Sequence, residues 1–420
     1  MPKALKAALL AALLALAPLA EAGAETLLPT AAKPEDVGLS SEQLARLEAV
    51  TRENIEKGLL PGAIMLIVRD GKIGWHRVLG MRDKNKGEPM KPDSLFRIYS
   101  MTKPIVSVAI MMLVEQGKLQ ISDPVWQFIP EFKDMKVGIE RKDGDTGRPM
   151  LDLAAPQRDM TVQDLLRHTS GLIYGSRGES LVNAAYREAK IGDRAVGNEE
   201  FARRVAKLPL RFSPGTRWEY GVSTDILGRI VEVVTQKSLG AALEEMIFKP
   251  LGMVDTAFVV PQEKLTRAAQ PAISRKDQPP TPRFDVGVKA AFESGGGGLV
   301  GSTDDYLRFM LMLANGGTFN GKRLLGAQTL DFMTAEHTGG VPGRPPGLGF
   351  GLGFEVRTST GVAALPGSQG EYGWAGNAGT LFWIDPKRKL MALYMVQVND
   401  YDRIFLRNQF RTMVQAAIVK

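Results

Sequence analysis

Cysteine is absent from the 420 residues, which excludes disulfides, thiolate zinc sites and cysteine nucleophiles. Histidine is scarce: His76, His168 and His337 are the whole complement, too few for a His-rich metal centre. No long run of one charge occurs. The 53 Lys and Arg are interspersed with 46 Asp and Glu for a formal net charge of +7, which implies a solvated, mildly basic surface and no nucleic-acid partner. Also missing are G-x-S-x-G, H-E-x-x-H, a Walker loop and a dinucleotide fingerprint, so a nucleophile elbow, a zincin and a nucleotide fold are excluded by motif. What is present is a globular composition, 44% hydrophobic and 24% charged with 45 Gly and 25 Pro. Collagen-like, coiled-coil and disordered chains look different.

The first residues read as processing rather than fold. Lys3 and Lys6 precede an apolar stretch over 7–19, and Ala20-Glu21-Ala22 and Ala22-Gly23-Ala24 are both A-x-A-like. This pattern predicts a signal peptide over 1–24, cleaved near Ala22 or Ala24, and an exported, periplasmic protein. The stretch is shorter than the ~20 residues of a membrane span, so no stable membrane anchor is expected. Removing Lys3, Lys6 and Glu21 takes the net charge from +7 to +6.

Along the mature chain, residues 26–36 read as a loose lead-in. Ser40 with Gln43 resembles a capping box and opens a helix with Leu44, Leu47 and Ile55 on one face. Residues 63–68 and 73–79 are β-rich runs joined by Asp70-Gly71, a hairpin signal. A second hairpin is predicted from 380–384 and 390–398 about Asp385-Pro386-Lys387, and Asp402 is expected to cap a final amphipathic helix through Leu406, Phe410, Met413 and Ala417. From 106 to about 253 the pattern is mostly helical, broken by polar stretches such as 142–149. A Pro-rich connection follows at 271–282 and a four-glycine loop at 295–298. Strands at both ends with helices between predict an α+β fold: an antiparallel sheet flanked by helices, with an inserted mostly helical domain. The expected division is an α/β domain of 25–115 and 290–420, and a helical domain of 116–289.

Ser100-Met101-Thr102-Lys103 is an S-x-x-K sequence opening an apolar helix over 105–114 that ends near Gly117. It places Lys103 one turn after Ser100 on the same face. Pro104 is compatible only in or near the first turn, where N–H groups lack intrahelical partners. The Ser100 N–H is then free to meet a carbonyl oxygen, with the helix dipole favouring negative charge there. A partly desolvated lysine of lowered pKa can act as base for the serine. Alone, S-x-x-K is common and most often a cap beside a solvated lysine; its company decides.

The segment LFRIYSMTKP at 95–104 resembles the nucleophile motif of the serine β-lactamase-like superfamily, which holds class C β-lactamases, DD-peptidases and family VIII carboxylesterases. MTVQDLLRHTSGL at 160–172, SPGTRWEYGVSTDILG at 213–228, GGLVGSTDDYL at 297–307 and GWAGNAGTLFWIDP at 373–386 follow in the same order, so the resemblance covers about residues 35–400. It implies Ser100 as nucleophile and Tyr220, after the Pro214-Gly215 turn, as the second catalytic group. Either Lys103 or Tyr220 could take the serine proton. The sequence departs from the β-lactamase pattern twice. Val222 stands where an Asn would contact a substrate amide, and Trp374-Ala375-Gly376 stands where Lys-Thr-Gly would attract a carboxylate. The latter is close to the Trp-Gly-Gly-like motif of family VIII esterases. It implies a strand edge beside the substrate and the Asn377 N–H as second oxyanion donor with that of Ser100.

These readings predict an exported serine hydrolase cleaving carboxylic esters of short to medium acyl chains through an acyl-enzyme on Ser100. Val222, Trp374, Ala375 and Gly376 would contact the substrate, and no metal or organic cofactor is required. The alternatives are an amide hydrolase (β-lactamase, D-aminopeptidase or DD-peptidase) and a non-catalytic peptidoglycan- or peptide-binding protein that keeps the fold. His168 is expected at a helix terminus or turn, Ser223 and Asp225 at the start of the helix after Tyr220.

Overall fold

A computed structural model describes residues 27–271, 284–398 and 402–419. The 1–24 segment, all but Pro271 of the Pro-rich connection, and the Asp402 side chain lie outside the described residues.

Strands from both ends of the chain form one antiparallel sheet. β1 (Gly62–Arg69), β2 (Lys72–Asp83) and β3 (Glu88–Pro89) come from the N-terminal part. β4 (Leu348–Phe350), β5 (Glu355–Arg357), β6 (Tyr372–Ala375), β7 (Leu381–Asp385) and β8 (Leu390–Val396) come from the C-terminal part. The eight strands lie in the order β4-β5-β6-β7-β8-β1-β2-β3. The two groups join where β1 pairs with β8, in register from Ala63↔Val396 to Arg69↔Leu390. The first hairpin turns on Asp70 (φ 48) and Gly71 (φ 73), both in the left-handed region that a two-residue turn of matching twist requires.

Five helices matter to this architecture: α1 (Ser41–Glu56), α2 (Thr102–Glu115), α3 (Ser223–Thr235), α4 (Thr303–Ala314) and α5 (Asp402–Ala416). The sheet lies between two of these layers. Along β1 the side chains alternate, so Ala63, Met65 and Ile67 pack with Leu44 and Leu47 of α1 and Leu406, Phe410 and Val414 of α5. Ile64, Leu66 and Val68 share a second core with α2 and α4. A strand buried on both faces reads as a continuous apolar run, as residues 63–68 do.

The remainder is mainly helical, with Val162–Leu166, Leu181–Glu188 and Asn198–Ala206 before α3. Two expectations are corrected. Residues 142–149 are not a break between helices but the turn of a β-ribbon, Val137–Lys142 paired with Pro149–Ala154. The lead-in is not loose: Thr30 bridges to Ile73, and a 3₁₀ turn at Pro34–Val37 follows.

Candidate active site

Ser100 sits in a turn built under constraint. Leu95–Arg97 pairs with Val300–Ser302, and Ile98 N donates to Leu299 O at 3.1 Å. The next residue, Tyr99, has φ +44, a conformation that costs a bulky L-residue on the order of 1–3 kcal/mol. Its surroundings hold it there. Its ring packs on Phe284 at 5.6 Å, and Arg97 is tied to Phe284 O at 2.9 Å and Ala269 O at 3.1 Å. The chain then enters α2, whose residues Thr102 to Leu113 are all buried, as expected of a helix apolar all round. Pro104 is the third residue of α2, within the first turn where its missing N–H does no harm.

Lys103 is 1% exposed and points into a polar knot. Its Nζ donates to Gly296 O at 2.5 Å and Tyr174 OH at 3.1 Å, and lies 4.6 Å from the centroid of the Tyr220 ring. Burial alone would push the ammonium pKa down. The Tyr174 and Tyr220 phenols and the Asp225 carboxylate that face it more than offset this, and the pKa stands above the ordinary lysine value. The expectation of a lysine with lowered pKa is therefore corrected: Lys103 is held as a cation.

Asp225, in the first turn of α3, closes the knot from beneath. Its Oδ1 accepts from Ser294 Oγ at 2.5 Å and Gly296 N at 2.9 Å. Burial raises its pKa, against the opposing pull of Lys103 and these hydrogen bonds. A Cβ at position 296 would stand 2.3 Å from Asp225 Oδ2, so glycine is what lets the loop close onto the carboxylate.

Tyr220 comes from a loop laced to the segment before it. Glu219 N donates to His168 O at 3.0 Å, Gly215 N to Thr169 O at 2.8 Å, and Ser170 and Ser223 share a 2.9 Å hydrogen bond. A Cβ on Gly221 would lie 2.1 Å from Leu172 O, so the two stretches are in backbone contact. Around the phenol stand the rings of His168 at 4.9 Å, Trp374 at 5.3 Å and Tyr174 at 5.5 Å. The indole Nε1 of Trp374 donates to Tyr220 OH at 3.4 Å. His168 follows a helix end, as expected, with φ +57. Its ring is buried, Nδ1 has no partner among the described residues, and burial beside Lys103, Arg344 and Arg177 keeps its pKa well below the ordinary value.

The third wall is the end of β6. β5 pairs only with Tyr372 and Gly373, leaving Trp374 and Ala375 beyond the ladder on that side. The chain then turns at Gly376, where a Cβ would meet Thr380 Oγ1 at 2.1 Å and Ile98 O at 2.5 Å. That close approach sets Asn377 beside the Ser100 turn.

Ser100, Tyr220, Val222, Trp374, Ala375, Gly376 and Asn377 all line one cleft of about 1350 Å³, and Lys103 lies buried behind it. Sequence reasoning missed Tyr174 and the pairing of Asp225 with Gly296. Tyr174 is two residues past the HTSGL match, and the Asp225–Gly296 contact joins residues far apart in the chain, so neither had a spacing signal. Among the described residues no group of three or more His, Cys, Asp or Glu comes together to hold a metal ion.

Comparison with known proteins gives a consistent result. The family model described as Beta-lactamase matches residues 47–413. Protein Rv1367c of Mycobacterium tuberculosis is 34% identical over 366 residues, covering 83% of this chain and 89% of that one. Esterase EstB of Burkholderia gladioli is 31% identical over 374 residues, covering 84% and 89%. Among solved structures, the fold is similar to that of EstCE1, a hydrolase with promiscuous acyltransferase activity, with TM-score 0.71 and 24% identity over 90% of this chain and 98% of that one.

Proposed function

This chain belongs to the β-lactamase family and is a serine hydrolase; from that premise we propose that it cleaves carboxylic esters of short to medium acyl chains, outside the cytoplasm. The observation that carries the ester reading is the wall opposite Ser100. Val222 is 3% exposed and Trp374 turns its indole N–H onto Tyr220 OH; by the resemblance to β-lactamases they take the positions of the carboxamide and the cation that would read an amide substrate and its carboxylate. Export rests on the 1–24 segment; no helix of the described residues is long and apolar enough to cross a membrane. The division into 25–115 with 290–420 and an inserted 116–289 agrees with a sheet drawn from both chain ends.

In this reading Ser100 Oγ attacks the ester carbon. The carbonyl oxygen becomes an oxyanion received by the N–H groups of Ser100 and Asn377. Lys103, kept protonated, is the electrostatic support rather than the base. Tyr220, beside that cation, relays the Ser100 proton to the departing alkoxide, accepting from the serine hydroxyl as it gives up its own proton. The C–O bond breaks, the alcohol leaves, and water cleaves the acyl-Ser100 ester by the same proton path in reverse. Ester chemistry suits such a site, because an alkoxide leaves more readily than an amine and asks less of the donor.

The test compares the mature protein with Ser100→Ala on p-nitrophenyl butyrate and a chromogenic cephalosporin. Ester turnover that disappears in Ser100→Ala, with little cephalosporin cleavage, is expected. Dominant cephalosporin cleavage would overturn the ester reading while leaving Ser100 as nucleophile.

A further inference from the structure

The peptide that joins Gly376 to Asn377 is held from its carbonyl end. Gly376 O accepts from Gly379 N at 3.1 Å and from Arg407 Nη1 of α5 at 3.4 Å. In a trans peptide the C=O and N–H point in opposite directions along one dipole. A guanidinium on the oxygen therefore fixes where the Asn377 N–H points and polarises it toward a forming anion. We propose that Arg407 is a positioning residue of the oxyanion hole, acting through the Gly376 carbonyl on the Asn377 N–H without itself bonding the oxyanion. The inference rests on the reading of Asn377 as second oxyanion donor.

Three further observations support it. First, α5 grips β6 at both ends. Arg411, one turn after Arg407, pairs with Glu371 just before the strand, and Glu371 also pairs with Arg357. Arg407 reaches Gly376 just after it. The helix therefore sets the strand's position as a clamp would. Second, the turn at Gly376 has no room to relax toward the nucleophile, since a Cβ there would already meet Ile98 O at 2.5 Å. Third, the Arg407 guanidinium is half-buried. Burial and the neighbouring Arg403 push its pKa down to about 10, against the pull of Glu355, so it remains a cation at neutral pH.

The rival role is direct recognition of an anionic substrate, because Arg403 and Arg407 also line the cleft. Arg407→Gln, Arg407→Lys and Arg411→Gln would be compared with the parent on p-nitrophenyl butyrate and on the mono-p-nitrophenyl ester of glutaric acid. Melting temperature and affinity for an alkyl boronic acid, which forms a tetrahedral adduct on Ser100, would be read alongside. Arg407→Gln is expected to lose about ten- to a hundredfold in kcat on both esters with KM within about twofold, somewhat less than deletion of a direct donor. Boronate affinity should fall in parallel, and Arg407→Lys should recover part of both. Arg411→Gln, which loosens the other end of the clamp without touching Gly376, should lower the melting temperature and cost clearly less in kcat than Arg407→Gln. Three results overturn the proposal: unchanged kcat in Arg407→Gln, a loss confined to KM for the anionic ester, or an equal kcat loss in Arg411→Gln. If the parent itself shows no Ser100-dependent ester turnover, the functional reading fails instead.

Discussion

Ser100 and Lys103 stand one helical turn apart at the head of α2, whereas Tyr220, Tyr174 and Gly296 reach the same place from three separate loops. The two groups are fixed by different physics. On the helix side the i, i+3 relation follows from backbone geometry, and the apolar faces of α2 seat it in the core. On the loop side each phenol or carbonyl is placed by hydrogen bonds between distant segments, and glycines at 221 and 296 let the backbones touch. The helix side is therefore tolerant of its surroundings and intolerant of its own substitution. The loop side depends on parts that do no chemistry.

The sharpest break is Lys103→Met. It removes the cation that faces Tyr174 and Tyr220 and leaves Gly296 O without its 2.5 Å donor. Ester turnover should fall by about 10²–10³, in the range of a lost electrostatic stabiliser, with a stability cost of about 1–3 kcal/mol for the orphaned carbonyl. Paired kinetics and denaturant unfolding check both. A modest rate loss would mean that Lys103 is scaffolding, and that the helix side matters less than its geometry suggests.

Asp225→Asn tests the loop side. The amide oxygen can still accept from Ser294 and Gly296, but the negative charge that helps hold Lys103 protonated is gone. A fall of about ten- to a hundredfold in kcat/KM is expected, because a buried charge that orders the Lys103 knot is removed from the site's electrostatics. The melting temperature should change little. An inactive but stable Asp225→Asn would instead place the carboxylate in the proton path.

The contrast also explains what could be read from the chain. The hairpin at Asp70-Gly71, the capped α1 and the Ser100–Lys103 turn are local, so spacing and propensity specify them. The 142–149 turn is not legible in this way, because a polar Gly/Pro stretch looks alike between helices and between strands; the pairing of Val137 with Ala154 tells them apart. The lysine's titration could not be read either. Burial, visible in the apolar neighbours, lowers it, while Tyr174 and Asp225, brought in by tertiary contact, raise it further. The sequence places Tyr220 by its motif, but much of the support from the segment His168 to Leu172 comes through the carbonyls of His168 and Thr169, which carry no residue signature.

The smallest expected effect concerns that support. His168 lies under the Tyr220 ring, enclosed also by Trp218 and Phe350, with Lys103, Arg344 and Arg177 as the charges that face it. Its folded-state pKa is depressed, so the folded protein keeps the imidazole neutral where the unfolded chain begins to take up a proton. The stabilisation is fully present above pH 6.5 and is lost as pH falls below it, at up to ~1.4 kcal/mol per pH unit. His76 and His337 are also depressed by burial and titrate in the same direction, so the parent's slope alone does not isolate His168. The difference between parent and His168→Phe does. The variant keeps a ring against Tyr220 and pays for a bulky side chain at φ +57 with a lower melting temperature at every pH. Between pH 7 and pH 5, however, it should lose less stability than the parent, by up to one proton's worth. Parallel slopes would show that His168 takes up its proton in the folded state, and that the wall behind Tyr220 is more accessible to water than its packing implies.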